Sequence, residues 1–391
     1  MKKLTSFVVA LAVPLLITAW TVPAAGQDTT LAVHGFGGWA AGHTNNDNIY
    51  PDTPLPIASK DWSIDNSYFT LNLLARPVDK VTILAQPTWQ SSMRGQEVRL
   101  DLAYVELEVV PDLLVRAGKI KNPLGLYMDI YKVGTLRPFY LLPNSYYRLS
   151  PESYSGIGVN HVQHLGAWEV ELDVLGGQMD FESAPSDVIA GQDPESGDLI
   201  FASLPIVAQG RDVIGGGAAL RTPIEGLELR ASAYTIKLYG SVAGGPYQEI
   251  DEKRLKAYAG ALEYVNEKVS LRSEGIMTKG PEKDYAWYAE LAYYLTSHWQ
   301  IAGTYQYVNF KEPPPIVKDL EKDNTFGFAL NYWVNPKLVW KVDYYHVTNN
   351  RAARLPAEAA LNGELDTVNA ALLGQLDKKT DVIIAGVHFA F

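Results

Sequence analysis

The chain has no cysteine among its 391 residues, which excludes a disulfide framework, thiolate metal sites and thiol nucleophiles. Basic residues are few. Lys and Arg total 33 against 44 Asp and Glu, a net charge of −11, so the basic footprint that nucleic acid demands is missing. Beyond the first 25 residues, no apolar run approaches the ~20 residues that a membrane-crossing helix needs. The 7 histidines are scattered and none falls in a nucleophile motif. His161 and His164 lie three apart in a strand pattern, so they point to opposite faces and make a poor metal pair. What the chain does have is glycine, 32 residues, and rings: 23 Tyr, 9 Trp and 11 Phe. Tyrosine in excess of phenylalanine suits interfaces, where a ring is half in apolar surroundings and half wet.

The N-terminus reads as an export signal. Lys2 and Lys3 precede an apolar run from Phe7 to Trp20, followed by Val22-Pro23-Ala24-Ala25-Gly26. A charged start, a short apolar stretch and a small-residue exit are its three parts. Residues 1–25 are therefore taken as a signal peptide and residues 26–391 as one domain. Cleavage near Ala25 removes Lys2 and Lys3 and leaves a mature charge of −13.

The remainder alternates at period two. In Trp168-Glu169-Val170-Glu171-Leu172-Asp173-Val174 the apolar residues share one face and the acids the other; Leu227–Ala233 and Leu338–Tyr344 repeat the pattern. Such strands have one apolar and one polar face. Strands are expected near 30–41, 65–76, 80–91, 98–110, 112–120, 154–164, 167–178, 211–222, 226–238, 254–265, 268–278, 284–295, 298–310, 323–334, 337–348 and 379–391. Every second connection is a tight turn, as at Pro111-Asp112, Asn266-Glu267-Lys268 and Asn335-Pro336. The others are mostly longer and polar, around 42–64, 92–97, 121–153, 179–210, 239–253, 279–284, 311–322 and 349–378. An even strand count, with short turns at one end and long loops at the other, fits an all-β transmembrane antiparallel barrel of sixteen strands, with the short turns in the periplasm. Tyr264, Tyr293, Tyr294, Trp299, Tyr332, Trp333 and Trp340 near the short turns are expected to form an aromatic girdle at the headgroup level.

Two stretches carry a family resemblance. Val115-Arg116-Ala117-Gly118-Lys119-Ile120-Lys121-Asn122-Pro123-Leu124-Gly125-Leu126 and Gly134-Thr135-Leu136-Arg137-Pro138-Phe139 resemble Gram-negative outer-membrane porins, particularly relatives of the phosphate-selective porins. The resemblance implies a sixteen-stranded barrel, usually a homotrimer, with residues 121–153 folded inward as a constriction. Phosphate-selective members line their pore with rows of arginine and lysine; such rows are absent here, so phosphate specificity is not implied. The last segment alternates Ile383, Ala385, Val387, Phe389 and Phe391, which resembles the terminal signal read by the barrel assembly machinery.

Between Lys119 and Glu152 the basic residues Lys119, Lys121, Lys132, Arg137 and Arg148 outnumber Asp129 and Glu152. A basic eyelet that favours anions is one reading; a solvated loop with its own salt bridges is the other. The polar faces of the wall offer Glu169, Glu171 and Asp173 together with Arg230, Arg272, Lys341 and Asp343. These are either a transverse field across a water-filled lumen or a generic hydrophilic lining. Strand four breaks the alternation, because Arg99 and Asp101 share one parity and Glu106 and Glu108 the other; a bulge or a switch at the strand end would explain it. Gly215-Gly216-Gly217 lacks the Lys and helix of a phosphate loop and reads as close backbone approach in the wall. Asp319, Glu321, Asp323 and Asn324 lack the glycine and spacing of a calcium loop. No cofactor and no catalysis are expected.

The expected function is an outer-membrane porin passing small hydrophilic solutes or ions by diffusion, with mild anion preference. The alternative is a structural or adhesive barrel that acts through its outer loops or sheathes a periplasmic partner. Outer-membrane lipid is a partner in either case.

Overall fold

Alternation leaves every strand with two unlike faces, and a sheet of such strands hides one of them by closing on itself. The computed structural model describes residues 30–46, 48, 50–51, 57–92, 95–147, 149, 151–181, 185–192, 199–242, 246–249, 253–280, 283–310, 322–348 and 378–391. The expected signal peptide and Arg148 lie outside the described residues. The strands are β1 (Thr30–Thr44), β2 (Ser63–Val78), β3 (Val81–Ser92), β4 (Gly95–Val110), β5 (Leu113–Lys121), β6 (Ser153–Leu165), β7 (Trp168–Phe181), β8 (Pro185–Gln192) and β9 (Leu199–Arg221). They continue as β10 (Leu227–Val242), β11 (Gln248–Glu249), β12 (Leu255–Val265), β13 (Val269–Lys279), β14 (Asp284–Tyr294), β15 (Trp299–Phe310), β16 (Lys322–Asn335), β17 (Leu338–Thr348) and β18 (Lys379–Ala390).

Sixteen of these make a closed antiparallel barrel in chain order. β1 pairs with β2 on one side and with β18 on the other, from Phe36↔Ala390 to Thr44↔Val382. β8 and β11 stand outside that ring. β8 pairs only with the start of β9, and β9 reaches the wall by pairing with β7 and β10. The span 179–210, expected as loop, thus contains a hairpin that extends β9 by a dozen residues. Its apolar pairs, Val188-Ile189 and Ile200-Phe201, are strand formers that the turn-rich sequence around them obscures.

The tight turns carry the chemistry their geometry requires. Asn266 Oδ1 accepts from the backbone N–H of Lys268 and Val269 at 2.9 and 2.8 Å, and Asn335 Oδ1 from Lys337 N–H at 2.8 Å. Short Asx side chains are favoured in turns because they supply this acceptor.

Outside, the wall is apolar. Val105, Leu107, Ile157, Val174, Ile214, Leu291, Phe328 and Val342 are all exposed. Aromatics mark both rims. Trp299, Tyr332 and Trp340 form one cross-strand row near the tight turns, and Tyr258, Tyr285 and Trp287 lie exposed toward the other end. Tyr285 and Tyr293 on β14 are eight residues apart, ~27 Å along the strand at ~3.4 Å per residue and ~20 Å once tilted by ~40°, close to the ~25 Å apolar band of membrane barrels. An apolar exterior around a polar interior is what a bilayer-spanning barrel requires. Tyr294 and Trp333 do not belong to the outer girdle: they face inward and meet at 6.2 Å between centroids. Adjacent residues of a strand cannot share a face, so Tyr293-Tyr294 and Tyr332-Trp333 are each divided between lipid side and lumen.

The irregular parity of β4 is a bulge. Gln86 pairs with Leu102 but Pro87 with Leu100, so Asp101 is the extra residue. Proline has no N–H for the ladder and is tolerated at bulges. The bulge turns Asp101 inward alongside Leu102, and both are buried. At the glycine triplet, a Cβ on Gly216 would stand 2.3 Å from Asp173 O, so the triplet serves close strand approach.

Candidate functional site: the loop across the lumen

The described residues between 122 and 152 leave β5, cross the interior and return to β6. Three short helical turns order them: 3-10 turns at Leu126–Ile130 and Gly134–Leu136, and α1 at Asn144–Tyr147. The loop is fastened to the opposite wall by side chains that strand alternation turns inward.

Lys341 on β17 is the central fastener. The residue is 1% exposed, and its ammonium donates to Gly134 O at 2.8 Å, to Phe139 O at 3.1 Å and to Arg137 O. Three donors thus meet three loop carbonyls, which fills the hydrogen-bonding capacity of an ammonium. Two residues on, Asp343 Oδ2 accepts from Tyr140 N–H at 2.7 Å, and Asn331 Nδ2 donates to Pro138 O at 2.7 Å. The segment 134–140 is held along its backbone, so its side-chain identities are free to serve packing. Tyr140 stacks on His388 at 4.3 Å between centroids. Gly134 lies against the same imidazole, where a Cβ would come within 2.3 Å, so glycine is required there.

A second anchorage lies over β13 and β14. Glu274 accepts from Leu126 N–H at 2.8 Å and from the Tyr147 and Tyr288 phenols, while the Tyr127 phenol donates to Glu290. Burial, reinforced by Glu290 and Glu274 respectively, pushes the Tyr127 and Tyr147 phenols well above their ordinary range. They therefore remain protonated donors. Arg272 sits 5.1 Å from the Tyr127 ring centre and pairs with Glu263 at 2.6 Å. Gly125, at φ 111, makes the turn into this anchorage, a conformation that costs an L side chain dearly. Around it, inward Leu175, Met179, Ile236 and Ile276 pack on Leu124 and Met128 of the loop. Much of the barrel interior near the loop end is therefore an apolar core rather than a water-lined surface.

The basic residues singled out in the sequence separate. Lys132 lies at 3.8 Å from Asp101 and 3.6 Å from Glu152, and Arg99 joins the same two acids at 2.6 and 3.5 Å. This cluster depends on the Asp101 bulge. Arg137 is buried and offers its carbonyl to Lys341. Lys119 shares its face with its register partners Ala103 and Ser155, on the outer side, and donates to Leu100 O at 2.7 Å. It stands away from the lumen, opposite its inward neighbour Ile120, whereas Lys121 at the end of β5 leaves that alternation and turns its Nζ to Asp129 O of the loop. Of the basic candidates in the described loop and its rim, Lys121 reaches open space.

That open space is a cavity of about 190 Å³ between the loop and the wall from β2 to β10. Arg116, Lys121, Asp129, Glu171, Asp173 and Arg230 supply its charge. Three of these are basic and three acidic, so among the described residues the cavity is balanced where the sequence suggested a basic excess. Glu169 lies beyond the cavity, in contact with Arg221 and with His164 at 3.2 Å. Lys341, Asp343 and Arg272, expected in a hydrated wall, are covered by the loop. Arg116 was not among the site candidates; its inward parity, shared with Leu114 on β5, is the signal that could have found it. Among the described residues no cluster of His, Asp and Glu has the arrangement of a metal site.

No family model matches the chain, and no curated protein matches it in sequence. Solved structures match it in fold. An anion-selective porin from Comamonas acidovorans aligns with a TM-score of 0.54 at 10% identity, covering 93% of this chain and 100% of that one. The outer membrane channel DcaP of Acinetobacter baumannii gives 0.55 at 10%, covering 93% and 97%. OmpT of Vibrio cholerae in its trimer form gives 0.53 at 10%, covering 93% and 100%. The chain has the fold of Gram-negative outer-membrane porins.

Proposed function

We propose that the chain is an outer-membrane porin: a passive channel for small hydrophilic solutes and ions, exported by its N-terminal signal and assembled as a homotrimer. One observation carries this reading. A closed barrel with an apolar exterior holds a loop inside its lumen, and a polar cavity persists beside that loop. A filter of this kind needs no energy input; passage is set by the gap that the loop leaves and by the charges around it. Fastening the loop to the wall from β13 to β18 confines traffic to the side from β2 to β10. The trimer form of the similar OmpT supports the homotrimer, and the outward apolar face of β18 suits recognition by the assembly machinery.

The ion preference we assign is weak. Lys132 and Arg137 are engaged away from the passage and Lys119 faces outward, so they do not support the mild anion preference suggested by the loop composition. The remaining charges balance. Liposomes containing the purified protein should swell in isotonic neutral sugars, at rates that fall steeply from pentoses to disaccharides. Absence of swelling in any sugar would refute the porin reading.

A further inference from the structure

The charges around the cavity are not equivalent. Arg116 pairs with Glu106 at 2.7 Å, Arg230 with Asp129 at 3.1 Å and also with Glu228, and Glu171 with Arg221 at 2.9 Å. Those groups neutralise one another within the wall and loop. Two facing the same space do not. Lys121 Nζ donates to the backbone carbonyl of Asp129 at 2.8 Å and, among the described residues, has no carboxylate within ion-pair distance. Asp173 accepts from Asn160 Nδ2 at 3.0 Å and, among the described residues, has no cation within that distance. One unmatched ammonium at the loop's entry thus shares a cavity with one unmatched carboxylate on β7.

From this pattern we propose that the cavity is a subsite for small zwitterions, solutes carrying both an ammonium and a carboxylate, such as amino acids and dipeptides. The inference rests on the channel reading and specifies what the channel favours. A simple anion is attracted by Lys121 and repelled by Asp173, and a simple cation meets the reverse, so neither gains much. A zwitterion oriented with its carboxylate toward Lys121 gains at both ends. The walls between are mixed: Asn72, Gln86, Asn122 and Tyr104 offer hydrogen bonds beside apolar Leu84, Leu102 and Ile120. Asn72 Oδ1 and Asn122 Oδ1 are buried acceptors with no partner among the described residues, capacity that suits N–H donors. Size agrees as well. At ~30 Å³ per water, about 190 Å³ is space for a solute of amino-acid to dipeptide size, below the ~300 Å³ at which drug-sized pockets begin.

The test compares diglycine with N-acetylglycinamide, similar in size and without charge, by swelling of liposomes containing the full-length protein. The wild type should pass diglycine faster by on the order of three-fold, the effect of an exposed ion pair. Lys121→Gln and Asp173→Asn should each bring that ratio to about one. Passage of N-acetylglycinamide in the same preparation reports that the barrel is folded and open. A wild-type ratio of one, or a ratio that survives both substitutions, overturns the zwitterion subsite while leaving the channel standing. Passage of neither solute overturns the channel reading and the subsite with it.

Discussion

A lysine inside a barrel must find acceptors for its three donors or impose the large penalty of an unpaired buried charge. Lys341 finds them in the carbonyls of Gly134, Arg137 and Phe139. Replacing it by Met would take the ammonium from all three carbonyls; Gly134 O keeps the Arg137 N–H at 3.3 Å, while Arg137 O and Phe139 O each stand to lose about 1–3 kcal/mol where water does not reach them. We expect Lys341→Met to lower the temperature at which the folded band converts on a gel. We also expect it to add flickering, higher-conductance substates as segment 134–140 works loose. Wild-type thermal behaviour together with steady wild-type conductance would show that the lysine does not hold the loop. Strand parity revealed that Lys341 faces inward, because Trp340 and Val342 are apolar on either side. Parity carries no record of what lies above the residue, so a fastener and a water-lined wall residue look alike in sequence. The same limit hid the bulge: Arg99 and Asp101 broke the pattern visibly, but only the pairing of Pro87 with Leu100 identifies where.

Among elements, the loop and the last strand differ in how legible they are. The loop's ends were evident from tight strands on either side, and its ring and proline content suggested order. Its path was not, since Glu274, Glu290 and Asp343 lie more than a hundred residues away from it in sequence. β18 is the opposite case, read almost entirely from alternation. Ile383, Val387 and Phe389 lie outside, and Phe389 and Phe391 stack on Phe69 at 6.4 and 6.2 Å between centroids. Phe391 also exchanges both backbone hydrogen bonds with Gly35, at 3.1 and 2.8 Å. Deleting Phe391 removes the final rung of the seam that closes the barrel. It should reduce assembled, heat-modifiable protein several-fold, while export to the periplasm stays near wild type. Full assembly of the deletion variant would make the terminal ring incidental.

At the scale of the whole molecule, the barrel follows from one repeated choice. Each strand puts apolar residues outward, and the even ring of strands closes without an edge. The net charge of −11 says little about such a pore, because exposed charges more than ~8 Å from a passing ion are screened at physiological salt. What matters is the lining between β2 and β10, where Arg116, Lys121 and Arg230 face Asp129, Glu171 and Asp173. The most direct test is the single-channel current of the purified protein in a planar bilayer across a potassium chloride gradient. The account predicts discrete ohmic steps with a reversal potential close to zero. A bilayer that stays silent would contradict the porin and favour a structural or adhesive barrel, and a reversal potential near the limit for either ion would contradict the balanced passage.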